Sequence, residues 1–163
     1  MEWKWEENSI LNKISEYTPS KDIFDAVCRE ISRYYQSKKQ FKPLKRKLKW
    51  IGDNVICEFG FWSSHYNRSN EYVCFEIIPT IYAKDKTNMG KNGLLYIGIS
   101  PKSFDVHAID SNQFFEIVNL IEQTITYVSK IETQKGFETF MQERKSTESN
   151  NYIFLNRLKN NHK

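Results

Sequence analysis

At Phe41 the spacing of apolar residues changes from about 3.6 residues to two, and this switch of period constrains the fold more than any other feature of the chain. Before it, Ile23, Phe24, Val27, Cys28, Ile31, Tyr34 and Tyr35 fall on one helical stripe. Asp22 lies near the positive end of that stripe, and Lys38 and Lys39 lie near the negative end. The pattern predicts a helix beginning near Ser20 or Asp22. Ahead of it, Ile10, Leu11, Ile14 and Tyr17 predict a shorter helix capped by Asn8 and ended by Thr18-Pro19.

After the switch, side chains alternate. Leu44, Arg46, Leu48 and Trp50 share one parity and Lys45, Lys47 and Lys49 the other, which predicts a half-buried strand with a basic outer face. Gly52-Asp53-Asn54 makes a turn. Val55 to Trp62 sends Val55, Cys57, Phe59 and Phe61 inward and Ile56, Glu58 and Trp62 outward. In a third strand, Tyr72 to Ile78, Val73, Phe75 and Ile77 point inward, and Tyr72, Cys74 and Glu76 outward. Pro79 marks a bulge or an edge there. Leu94 to Ile99 and Phe104 to Ile109 complete about five strands. Their short polar connections favour an antiparallel meander over crossover units.

Asp110 or Ser111 then caps a long helix bearing Phe114, Phe115, Val118, Ile121, Ile125 and Val128 on one face. Gly136 interrupts it, and two shorter amphipathic pieces follow, near Phe137–Met141 and Tyr152–Leu158. Helices on either side of a block of strands spell an α+β fold, a single domain over residues 1–163. N-terminal helices take about 8–37, the sheet about 41–109 and C-terminal helices about 111–159, with the helices on one face of the sheet. At 163 residues such a domain buries about 70% of its unfolded surface.

No run approaches the roughly 20 apolar residues of a membrane span. The N-terminal stretch from Met1 to Glu7 lacks the features of a signal peptide. Three cysteines, Cys28, Cys57 and Cys74, are an odd number at irregular spacing among apolar neighbours. They read as buried thiols rather than a disulfide framework. A cytoplasmic protein is the expectation.

The exposed sheet face collects the residues with chemistry to offer: Lys45, Lys47 and Lys49 on the first strand, Glu58 and Trp62 on the second, Tyr72 and Glu76 on the third. Glu58 and Glu76 are a conceivable acid–base pair, although carboxylates opposite a lysine row ordinarily form cross-strand ion pairs. No acid-x-Lys spacing of a metal nuclease accompanies them. Ser63-Ser64-His65 lacks a nucleophile elbow and an orienting acid. The stretch from Trp62 to Arg68, with His65 and Tyr66, reads instead as a recognition loop, or as a plain solvated hairpin loop. His65, His107 and His162 stand at no metal-ligand spacing, and the six glycines form no phosphate-binding motif, so no cofactor is implied.

From Lys38 to Lys49 there are seven basic residues and no acid, on a chain whose net charge is only +4. Such a stripe can grip phosphates, with Trp50, Trp62 and Tyr72 offering stacking surfaces. It can equally protect a strand edge against aggregation or meet an acidic protein. The reading taken is a protein-binding module with a protein partner. Nucleic-acid binding through the basic stripe is the alternative, and a hydrolase using Glu58, Glu76 or His65 comes third.

The stretch from Phe59 to Asn67, with Tyr72 to Pro79 after it, resembles a pattern in uncharacterised bacterial proteins of unknown-function families. Some of these occur beside polymorphic toxins and are regarded as candidate immunity proteins. The resemblance covers about twenty residues and carries no catalytic residues with it. It implies a small α+β protein of immunity or anti-toxin type without enzymatic activity. An inhibitor of a toxic nuclease is ordinarily acidic, and this chain is not, so the implied partner is an acidic protein or a toxin other than a nuclease.

Overall fold

The computed structural model describes residues 3–63, 74–83, 94–98, 104–131 and 152–154. Two helices, α1 (Ser20–Tyr35) and α2 (Ser111–Ile131), accompany seven strands among these residues: β1 (Phe41–Leu44), β2 (Lys47–Ile51), β3 (Val55–Trp62), β4 (Cys74–Ala83), β5 (Leu94–Gly98), β6 (Phe104–Asp105) and β7 (Tyr152–Phe154). The chain is α+β. Strands β1 to β5 run as an antiparallel meander in sequence order, and β6 pairs with β4.

Three departures from the sequence reading have local causes. The single strand expected from Phe41 to Trp50 is a hairpin: Leu44 pairs with Lys47, so Lys45 and Arg46 form its turn. The last segment supplies β7, which lies parallel to β5 with Tyr96 opposite Tyr152, where a helix was expected. Three residues of apolar character suit a short strand as well as a helical turn, and pairing to β5 decides between them. The first helix shortens to one 3-10 turn, Ile10–Lys13, capped by Ser9 rather than Asn8. Just beyond it the amide of Ser15 donates to Thr18 Oγ1 and the amide of Thr18 donates to the Ser15 carbonyl, a local turn that competes with helix.

The register sorts side chains into two faces. Leu48, Phe59 and Pro79 form one cross-strand row, Trp50, Cys57 and Ile81 a second, and Phe61 with Ile77 a third. All face the helices and join one core with Phe24, Ile31, Phe114, Ile117 and Ile121. Each such side chain, fully buried, contributes about 1.5–3 kcal/mol. Phe75 meets Phe24 at 4.9 Å and Phe61 at 5.5 Å between ring centroids, tying α1 to the sheet.

β4 runs straight through Pro79, whose missing N–H is tolerated because of its position. β6 pairs at Cys74 and Phe75 and β5 pairs at Thr80 to Tyr82, so Pro79 falls between the two. The strand expected from Phe104 to Ile109 ends at Asp105, whose side chain accepts from the His107 amide and turns the chain into a 3-10 turn. α2 starts with a capping box. Asp110 Oδ1 accepts from the Gln113 amide and Gln113 Oε1 accepts from the Asp110 amide.

Candidate functional site

The sheet face opposite the helices is assembled by the remaining rows: Lys49, Glu58 and Thr80; Lys47, Gly60 and Ile78; Trp62 and Glu76. Lys47 Nζ lies 3.2 Å from Glu58 Oε1 and Lys49 Nζ lies 3.9 Å from Glu58 Oε2. Two lysines two residues apart share a face of β2, and the carboxylate on the adjacent strand sits between them. These half-exposed pairs contribute a few tenths of a kcal/mol each. They fix the charged side chains on the face that, farther along β3, carries Trp62, which is 52% exposed.

Gly60 separates Glu58 from Trp62 on that face. A Cβ added there would meet nothing closer than the Ile78 carbonyl oxygen, at 3.7 Å, and the backbone does not lie in the left-handed region. Packing therefore does not demand a glycine. A mid-strand glycine without a packing cause weakens the strand, and here it leaves the row between Lys47 and Ile78 without a side chain from β3. The sequence reading did not single out Gly60, although it shares the parity of Glu58 and Trp62 and could have been placed on this face by it.

Of the residues singled out from the sequence, the structure brings together Lys47, Lys49 and Glu58, with Trp62 opposite Glu76 farther along the same face. Lys45 is not in that row. It belongs to the hairpin turn, because β1 and β2 are two strands rather than one. His65, Tyr66, Arg68 and Tyr72 lie outside the described residues, as does the stretch 84–93. Ser63, the second residue of the expected recognition loop, is buried, and its Oγ accepts from the Cys74 amide. That contact draws Cys74 into the interior, against its outward parity; its thiol lies 3.5 Å from Glu76 Oε1.

Glu58 and Glu76 are not a catalytic pair. In the register, Glu76 stands opposite Trp62, four residues along β3 from Glu58. At about 3.3 Å per residue their backbone positions lie about 13 Å apart along the sheet, whereas the carboxyls of a glycosidase pair stand roughly 5–9.5 Å apart. The thiols of Cys28 and Cys57 are equally unsuited to nucleophilic work. Burial, reinforced by the charge of Asp25, pushes Cys28 up to about 12, and burial with Glu58 pushes Cys57 up as well. Among the described residues no group of three or more His, Cys, Asp or Glu is placed to hold a metal ion. Likewise, no described helix is long and apolar enough to cross a membrane.

The basic run is divided between surroundings. Lys38 sits over the Tyr34 ring at 4.8 Å, Lys42 on the edge strand β1 stands opposite Lys49, and Arg46 turns toward α1, where Nη2 lies 2.7 Å from Asp25 Oδ1. A lysine and a proline on an edge strand, here Lys42 and Pro43, are the usual guards against edge-to-edge pairing. Comparison with protein-family models, with curated proteins and with solved structures finds no match to this chain.

Proposed function

We propose that this chain is a non-enzymatic protein-binding module that engages its partner through the sheet face opposite the helices. One observation carries the reading: Trp62 stands half exposed on the same sheet face as Gly60 and, farther along it, the Lys47–Glu58–Lys49 network. An exposed tryptophan on a face that also holds ordered charge is the composition of an interface centre. The separation of Glu58 from Glu76 supports a binding role over a catalytic one, and the division of the basic run supports a protein partner over a polynucleotide. The resemblance to candidate immunity proteins gives the reading its finer form, a cytoplasmic protein that neutralises a toxin. Three buried thiols suit that reducing compartment.

The test is capture from host lysate by immobilised wild type, Trp62→Ala and Gly60→Val, each checked for an unaltered circular dichroism spectrum. A stoichiometric protein retained by wild type and lost by both variants is the expected result. Retention of the same protein by all three, or of none by wild type, overturns the reading.

A further inference from the structure

We propose that the cleft between the first turns of α1 and the β1–β2 hairpin is a binding site for a compact phosphate or polyphosphate anion. The cleft has a volume of about 550 Å³ and is lined by Lys21, Asp25, Leu44, Lys45, Arg46 and Lys47. Four cations thus face one carboxylate, and they come from two elements that are distant in sequence. Lys21 and Asp25 are one helical turn apart on α1, and the other four residues are successive at the hairpin.

The carboxylate is already engaged. Arg46 donates from Nε at 2.8 Å and places Nη2 at 2.7 Å from the same oxygen, Asp25 Oδ1. Its guanidinium carbon lies 5.1 Å from the centroid of the Phe24 ring. Asp25 and Phe24 therefore hold the guanidinium in a fixed place at the cleft, where the charges of Arg46 and Asp25 offset each other and leave the net positive charge of the lining to its lysines. Lys21 and Lys45, both exposed, contribute charge from opposite walls. Lys47 reaches Glu58 on the neighbouring face and forms the rim. α1 begins behind Pro19, which provides no side-chain cap, so the positive end of its dipole adds to the same field.

The lining also defines the ligand class. A fixed guanidinium with mobile ammonium groups matches the oxygens of a phosphate better than a single carboxylate, which needs fewer cations. Among the described residues, Leu44 is the only apolar one in the lining and none is aromatic, so none of them stacks on a base. The volume is that of a small-molecule site. A free phosphorylated small molecule or polyphosphate fits these features, and a polynucleotide does not.

The experiment titrates the full chain with pyrophosphate and tripolyphosphate at constant ionic strength, with sulfate as control. It is followed by calorimetry and by the amide resonances of Lys45 and Arg46. Saturable one-to-one binding with shifts at the hairpin turn is expected. It should weaken roughly tenfold or more in Lys21→Glu and in Lys45→Glu and persist in Lys49→Glu, because each removed contact is a charge-assisted one. Both lysines are exposed, so these variants retain the fold, which a melting curve verifies. No saturation by about 10 mM, equal binding of sulfate, or indifference to Lys45→Glu overturns the proposal, as does tight binding of DNA without any response to pyrophosphate. Trp62→Ala leaves pyrophosphate binding intact, which separates this site from the partner-binding face.

Discussion

The guanidinium of Arg33 lies 4.2 Å from the centroid of the Trp3 ring, which stacks in turn on Phe114 at 5.4 Å with the planes only 11° apart. The N-terminal segment is thereby docked across both helices. Arg33 reinforces the dock by donating from Nη2 to the Lys4 carbonyl at 2.6 Å, while Glu30 Oε1 accepts from the Glu6 amide at 2.6 Å. Glu30 is only 2% exposed, and Arg33 is its ion-pair partner at 2.7 Å.

This dock predicts an order of stabilities. Arg33→Ala removes the cation over Trp3 and leaves the Glu30 carboxylate buried with less compensation, at a cost of about 2–3 kcal/mol. Trp3→Ala costs a similar amount through lost packing. Trp3→Phe is milder, because the buried indole N–H has no acceptor among the described residues and the ring contact with Phe114 is kept. Urea unfolding of the three variants and of the double variant measures this. Strict additivity of Arg33→Ala and Trp3→Ala would show that the two side chains are not coupled.

Nothing in the sequence announced that dock. Trp3 and Trp5 precede any periodic segment, and their burial depends on Phe114 and Tyr34, far along the chain. By contrast, β3 was legible residue by residue, because a strand with one face on a core must alternate, and Val55, Cys57, Phe59 and Phe61 are all buried. The helical stripe of α1 was legible for the same reason. Lys45 was misplaced because a parity argument cannot see a two-residue turn when neither residue is glycine or asparagine. The Lys47–Glu58–Lys49 network was half visible: parity gave the face, and only the register between β2 and β3 shows that one carboxylate meets both lysines. The cleft at the hairpin was not visible, since it joins Lys21 and Asp25 to a turn twenty residues later.

Gly60→Val should stabilise the protein by about 0.5–1 kcal/mol. The added Cβ has space above the sheet, and a β-branched residue loses less backbone freedom on folding than glycine. The same substitution places a side chain between Lys47 and Ile78 on the face that carries Trp62. The expected combination is a higher melting temperature together with loss of the captured partner. A lowered melting temperature would mean that the face is covered more closely than the 3.7 Å clearance indicates.

Glu58→Gln tests whether the charge network belongs to stability or to recognition. Its ion pairs are 3.2 and 3.9 Å long, and the lysine side chains are 55% and 31% exposed, so the fold should lose no more than about 0.5 kcal/mol. That loss should vanish near 1 M salt, where screening extends only about 3 Å. Partner affinity should respond far more strongly than stability. Denaturant midpoints that fall by an equal and large amount at low and high salt would instead make Glu58 a structural residue.

Alkaline pH should weaken the fold through groups that are inert near neutrality. An ordinary thiol value of 9.0 becomes about 12 at Cys28 because of burial, and Cys57 is pushed up by the same cause. Tyr35 is raised too, first by burial and then by Glu122, to which its hydroxyl donates at 2.9 Å. Below the unfolded values both states hold these protons, so stability is independent of pH on their account. Above them the unfolded chain releases protons that the folded chain keeps. Each thiol then removes up to about 1.4 kcal/mol per pH unit until its folded value is reached. The urea midpoint should therefore be level between about pH 7 and 8 and fall by about pH 10. Cys57→Ala should reduce that slope, whatever it does to the midpoint at neutral pH. A midpoint at pH 10 equal to that at pH 8 would show that the thiols ionise as readily in the folded chain as in the unfolded one, which the enclosure of Cys28 and Cys57 by the core does not allow.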